Sequence, residues 1–236
     1  FNQNIGSWNT IDVEDMNSMF ESAKAFNNGG GSAPLNWNTS KVTNMALMFR
    51  QAWEFNQPFG SNWNTSLVKS MQQMFSDAKK FNQDISGWVT SEVTDMSDMF
   101  YGAAKFNKIL LKWNVVNVAT FANMFEGATD LLNIWNPHLS NNTTPTKPFF
   151  TTLITQANIK PSADLWTNYV TIATEAYGDI SDWNTSLVTD MSNLFSGKTA
   201  FNDDIGNWIT SSVVYMNAMF YGATTFNKNI GNWNTS

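Results

Sequence analysis

The residues of this chain that could do chemistry are few, and most of them return periodically. One histidine, His138, lies in the stretch "NPHLSNNTTPTKP". It could serve as a base or a metal ligand, but the 236 residues contain no cysteine and no second histidine, so a conventional zinc site lacks its donors. His138 reads as a loop residue. Carboxylates recur as Asp15, Asp95 and Asp190 in one series and as Asp84, Asp179 and Asp204 in another. Two carboxyl groups at the right separation can hydrolyse glycosides. Carboxylates that return at a fixed place in a repeat are explained more simply by turns and helix starts. Rows of oxygen ligands can also take calcium, yet nothing matches the EF-hand loop or the nonapeptide calcium repeat. Asn-x-Ser/Thr sequons stand at Asn38, Asn64, Asn141, Asn142, Asn184 and Asn234. Four of these are letters of a recurring W-N-T-S, whereas Asn141 and Asn142 lie in the polar loop and are the better glycan candidates.

Composition excludes several classes. With 13 basic against 19 acidic residues the net charge is −6, and no basic stripe offers phosphate neutralisation to a nucleic acid. No apolar run reaches the length of about eighteen residues that a membrane-spanning helix needs. The chain opens at Phe1 and closes at Ser236 in mid-motif, which reads as a window cut from a longer array.

What must position these residues is a repeat. Trp recurs at 8, 37, 63, 88, 113, 183, 208 and 233, and from each of the first seven the next Phe-position residue (Phe26, Phe55, Phe81, Phe106, Leu131, Phe201, Phe226) follows at 18 positions. The return from that residue to the next Trp is elastic: 7 residues in most units, 8 and 11 in two, and 52 between Leu131 and Trp183. Fixed length in one segment and insertions in the other is what stacked coils require. Within the rigid segment Val93, Met96, Met99, Phe100 and Ala103 keep helical spacing, with Ser91 (and Ser40, Ser66, Ser186, Ser211) at an N-cap position. Ile11 and Val116 replace that serine in units one and five. Gly102, Gly127, Gly197 and Gly222 suit helix ends. The segment "FNQDISGW" reads as a short strand with a turn, leaving through Trp88-Val89-Thr90. At the W-N-T-S asparagine two units carry Val89 and Ile209, which marks a half-exposed position. One coil cannot close a core alone, so Phe, Trp and Met columns must stack from unit to unit.

The pattern F-N-x-D-I-x-x-W-N-T-S-x-V-T-D-M-S-x-M-F-x-G-A, as in "FNQDISGWVTSEVTDMSDMFYGAAKF", resembles the repeat of the BspA-like leucine-rich-repeat surface proteins in their mycoplasma-lipoprotein variant. The resemblance implies an α/β fold: a right-handed leucine-rich-repeat-like solenoid with one short parallel strand and one helix per coil of about 25 residues. It also implies secreted or surface-anchored proteins tied to adhesion or interaction, with no catalytic residues and no cofactor.

Residues 1–131 then hold repeats one to five and 177–236 hold repeats six to eight, the last partial. Residues 132–176 are an insertion or the cap of a second array. Pro161 and the face Leu165, Trp166, Tyr169, Val170, Ala173, Ala176 and Tyr177 predict one amphipathic helix there. Ile109, Leu110, Leu111 and Phe121 of the fifth unit are expected to pack against this segment. The functional expectation is a non-catalytic extracellular or cell-surface repeat protein for adhesion or for structural assembly in a filament. Its partners would be copies of itself, other surface or matrix proteins, or glycans, met through strand-side positions and the loops 28–34 and 133–160. A receptor-like module binding a soluble protein or glycan, and a carbohydrate-active enzyme, are the alternatives.

Overall fold

The computed structural model describes residues 1–135, 143–150 and 152–235. The chain divides into two compact units, Phe1–Phe150 and Thr151–Ser236. Unit 1 holds the first five coils and unit 2 the sixth, the seventh and the start of the eighth.

Like side chains do lie in file. Phe20, Phe49, Phe75, Phe100 and Phe125 stack from coil to coil at 5.6, 5.7, 5.8 and 6.0 Å between ring centroids. A second file, Phe1, Phe26, Phe55, Phe81 and Phe106, runs beside it at 5.8 to 6.0 Å. Within a coil the two files touch, as at Phe75 and Phe81, 3.8 Å apart. Trp8, Trp37, Trp63 and Trp88 form a third file with 6.2 Å steps. In unit 2 Trp183, Trp208 and Trp233 do the same at 6.1 and 6.5 Å. Indole N–H groups bond backward across the stack, Trp37 to the Ile5 carbonyl and Trp208 to that of Ile180. The buried Nε1 of Trp63 meets no acceptor among the described residues, and the preceding coil holds Pro34 where Ile5, Ile85 and Ile180 stand in others.

The elements that carry these files are not those the spacing predicts. The leucine-rich-repeat-like solenoid, with a strand and a helix in each coil, is corrected: among the described residues no coil contains a strand, and helix within the coils is limited to single 3-10 turns at Asn28–Gly30 and Ile180–Asp182 and to the start of a helix at Thr129, the end of coil five. The rigid segment is a run of tight turns. In coil four the Met96, Asp98, Phe100 and Gly102 amides donate sideways to the carbonyls of Thr120, Ala122, Met124 and Glu126 in the next coil, at 3.2, 2.8, 2.9 and 2.6 Å. Met99, Tyr101 and Ala103, lying between them, donate back three residues to Met96, Asp98 and Phe100. Half the amides therefore leave the segment, whereas an α-helix would spend all of them along its own axis.

The chain makes this course possible with a left-handed residue every four positions: Asp98 (φ 52°) and Gly102 (φ 66°) here, Leu47 and Gln51 in coil two. A four-residue period places Met96, Met99, Phe100 and Ala103 inward at i, i+3, i+4 and i+7, the signature of an amphipathic helix. The spacing was a true sign of which residues are buried and a misleading sign of the backbone. Glycine is used at the second left-handed position in four coils, while Ser22, Gln51 and Asp77 accept it in the others. It is a turn residue here and not a helix end.

Pairing between coils is parallel but limited to isolated bridges. They link Asp15, Asn44, Ser70, Asp95 and Thr120 in sequence, and Asp190 with Tyr215, at the head of the segment read as helix; one more joins Leu35 and Phe59 in the elastic segments of coils two and three. The segment read as strand, residues 81–90, forms none. The Asp84 carboxylate instead accepts the Ser86 amide at 2.9 Å and the Trp88 amide closes onto Ile85. Regular helices appear only where the repeat stops: α1 (Thr129–Trp135), α2 (Ile159–Asn168) and α3 (Val170–Tyr177). The single helix expected after Pro161 is broken at Tyr169, whose φ of −146° and ψ of 59° lie outside the helical region. Leu165, Trp166, Ala173 and Ala176 are buried, while Tyr169 and Val170 at the break are exposed.

Candidate interaction surface

Two polar ladders decide which outward positions are already occupied by the fold. The threonine of W-N-T-S is buried in every full coil that has it and donates its hydroxyl to the next coil, Thr39 to the Asn64 carbonyl at 2.7 Å and Thr65 to the Val89 carbonyl at 2.8 Å. The acceptor is main chain, so Val89 and Ile209 replace asparagine there without breaking this ladder, and they are 48% and 44% exposed. A second ladder runs through the asparagine that follows each core Phe. Asn27 donates its amide to the Asn2 side chain, Asn56 to Asn27, Asn82 to Asn56, Asn107 to Asn82 and Asn227 to Asn202, at 2.8 to 3.2 Å. Sequence reasoning missed this ladder, although its signal was plain: F-N opens every unit except at Leu131-Leu132.

The sequon asparagines of the described coils sit at the surface. Asn64, Asn184 and Asn234 are exposed and Asn38 is half-buried. The Oδ1 atoms of Asn38, Asn64 and Asn184 accept the serine amide two residues on, at 3.0, 2.8 and 3.0 Å, so the cap expected of those serines is supplied by the asparagine. The nitrogen that would carry a glycan is not engaged by that turn. His138, Asn141 and Asn142 lie outside the described residues.

The carboxylates serve turns. Asp15, Asp95 and Asp190 accept the amides of Asn17, Ser97 and Ser192 at 2.7 to 2.8 Å. Asp84, Asp179 and Asp204 accept those of Ser86, Ser181 and Gly206 at 2.9 Å. Hydrogen bonds to the charged form favour it. The Ser86 amide and hydroxyl hold Asp84 below the usual carboxylate range, and the hydroxyl and amide of Ser181 and of Ser192 do so for Asp179 and Asp190. A general acid in glycoside hydrolysis needs the opposite shift. Among the described residues no three His, Cys, Asp or Glu side chains cluster as a metal site would require. Within the loop 28–34, Asn28 is buried and accepts the Ile5 amide at 2.8 Å, which makes it part of the frame; residues 29–34 are exposed.

Outward rows remain that the ladders leave free. Ion pairs step from coil to coil: Lys41 to Asp12, Arg50 to Glu21, Lys80 to Glu54 and Lys105 to Asp130, at 2.7, 2.8, 2.6 and 3.2 Å. In the row two residues before each core Phe stand Lys24, Trp53 and Lys79 in successive coils. Trp53 lies outside the buried Trp file and is 36% exposed. The Lys24 and Lys79 ammonium groups sit 4.2 and 4.6 Å from its ring centroid.

Unit 2 contributes a cleft of about 450 Å³ lined by Trp166, Asn168, Lys198, Thr199 and Asp203 among others. Lys198 stands where every other coil has alanine (Ala23, Ala52, Ala78, Ala103, Ala128, Ala223). Both charged residues reach α2: Lys198 pairs with Asp164 at 2.7 Å, and Asp203 accepts the Trp166 indole N–H at 3.1 Å. The departures from the repeat at this place fasten the helix to the coil.

These turn runs and ladders repeat over most of the chain, and so does its likeness to known sequences. The family described as "Mycoplasma protein of unknown function, DUF285" matches residues 1–33, 32–137 and 165–236. The chain belongs to that family. The unmatched stretch, 138–164, falls between coils five and six. No curated protein and no solved structure matches the chain.

Proposed function

We propose that this member of the DUF285 family is a non-catalytic scaffold at a cell surface or in an extracellular filament, serving adhesion or structural assembly. Support comes from one observation above all. Backbone bonds run from coil to coil, so outward side chains fall into registered rows, and a row of like contacts is what an extended partner or a neighbouring molecule can engage along its length. The motif F-N-x-D-I-x-x-W-N-T-S links the chain more narrowly to BspA-like surface proteins, a kinship that favours the same reading. Exposed sequons at Asn64, Asn184 and Asn234 are compatible with secretion and glycosylation.

A receptor-like module is favoured by a different feature, the cleft beside α2, which has the size of a small-ligand pocket. Beads coated with the protein and washed over immobilised cells and extracellular matrix separate the two. Adhesion that scales with coating density, together with end-to-end or lateral association in electron micrographs, supports the scaffold. Isolated monomers that ignore cells and matrix and take up a soluble ligand at unit 2 contradict it.

A further inference from the structure

We propose that Trp53, Lys24 and Lys79 form a binding site for an anionic polysaccharide, a chain that carries carboxylate or sulfate groups along its length. The proposal rests on the adhesion reading and names the partner chemistry of one of its rows.

The repeat gives Trp53 no structural duty. Its position is Lys24, Lys79, Ala104, Thr129, Thr199 or Thr224 in the other coils, so the fold accepts small and charged side chains there. The chain has placed its bulkiest apolar residue at an outward site with more than a third of its surface in water. One lysine from each neighbouring coil reaches the same ring. Attraction to the ring's electron-rich face holds each ammonium group in place.

The charges are out of balance at this point. Among the described residues neither Lys24 nor Lys79 has a carboxylate within ion-pair distance, although acidic residues outnumber basic ones by 19 to 13 overall. Lys80 and Lys105, in the adjoining row, are neutralised by Glu54 and Asp130. Two like charges held against one ring repel, and an anion reaching both relieves that repulsion. Each ammonium group presents one side to the indole and keeps donors for such a ligand. Trp53, itself 36% exposed, adds apolar surface for a sugar ring beside the two cations. A polymer with regularly spaced anionic groups meets both cations and continues along the coil stack, which a single small anion does not.

Fluorescence and calorimetric titration of the whole chain with chondroitin sulfate tests this, with dextran as the neutral polymer and vesicles of phosphatidylcholine and phosphatidylglycerol as the lipid surface. The expected result is binding of chondroitin sulfate alone, quenching of Trp53, a loss of about tenfold in affinity for Trp53→Ala and for Lys24→Gln/Lys79→Gln, and a salt slope lower by about 2 in the double variant. Circular dichroism of both variants matches the parent, because none of the three positions is buried. Absence of binding, equal binding by Lys24→Gln/Lys79→Gln, or equal sensitivity of vesicle binding to the same changes overturns the proposal. Cell and matrix adhesion distinguishes the two levels: adhesion unchanged in the double variant removes the site and leaves the scaffold reading, whereas Trp53-dependent binding of chondroitin sulfate by a chain that adheres to nothing else does the reverse.

Discussion

The last coil of unit 1 and the first coil of unit 2 each present a flank of the turn ladder that is closed from within its own unit, and the chain closes the two differently. The flank after coil five offers amides. Thr143 meets the Phe125 amide with its carbonyl at 2.9 Å, and Thr144 meets that of Asn123 with its hydroxyl at 3.0 Å. Phe150 then stacks on Phe121 and Trp113 at 5.2 and 6.4 Å in the manner of another coil's ring. The flank before coil six offers mainly carbonyls. Here a single side-chain amide, that of Gln156, accepts from Thr189 and Asp190 at 2.9 and 2.7 Å and donates to the Asp190 carbonyl at 3.1 Å. Lys160 donates to the Asn193 carbonyl at 3.3 Å, and Trp166 and Tyr177 pack edge-on against Trp183. In unit 1 the equivalent bonds are made by main chain, as when Lys69 donates to Thr43 and Met45 to the Ser70 carbonyl. A stack of this kind has a direction, and each end needs its own chemistry.

The largest effect should come from the interior that both closures protect. Phe100→Ala removes a ring held between Phe75 and Phe125 and should cost about 3–5 kcal/mol, read as faster hydrogen exchange throughout coils three to five. An effect confined to coil four would mean that the coils do not share a core. Gln156→Leu should follow at about 1–2 kcal/mol, since it removes the shared acceptor of two exposed amide bonds, those of Thr189 and Asp190, each worth about 0.5–1 kcal/mol. Exchange at those amides rises in unit 2 while the Phe125 amide stays protected; equal loss in both places would erase the contrast between the closures. Thr144→Val leaves the Asn123 amide without its hydroxyl acceptor and should cost about 0.5–1.5 kcal/mol, visible in coil five.

Acid supplies the smallest effect. Asp84 is held below its unfolded value of about 3.9, so its contribution is complete above that pH and disappears as pH falls through the lower folded value. A thermal melt series from pH 5 to pH 2 should show Asp84→Asn with a shallower acid decline than the parent. A parallel decline would show that the Ser86 bonds do not favour the ionised form.

Much of the frame was legible because burial leaves a clear trace in sequence. The constant distance from Trp to Phe located the coils, and the Phe, Trp and Met columns were core residues, as with Phe100 and Met99. Backbone type was not legible for a physical reason: a left-handed residue every fourth position and a helical turn bury nearly the same positions. Gly102 hinted at the former, but Asp98, Leu47 and Gln51 adopt the same conformation without any glycine to announce it. The turn roles of Asp84 and Asp190 followed from their periodicity. Trp53, Lys198 and Gln156 were harder, because each matters by departing from the repeat or lying outside it, and only coordinates bring Lys24 to Trp53 or Gln156 to Asp190.

The direction of the backbone bonds is the claim on which the rest depends, and scalar couplings across hydrogen bonds read it directly in an isotopically labelled sample. Coupling from the Phe100 amide nitrogen to the Met124 carbonyl carbon, with matching pairs from Met96 to Thr120 and Asp98 to Ala122, is the predicted result. Coupling from the Phe100 nitrogen to the Met96 carbonyl carbon, four residues back along the same segment, would establish a helix and contradict the turn ladder.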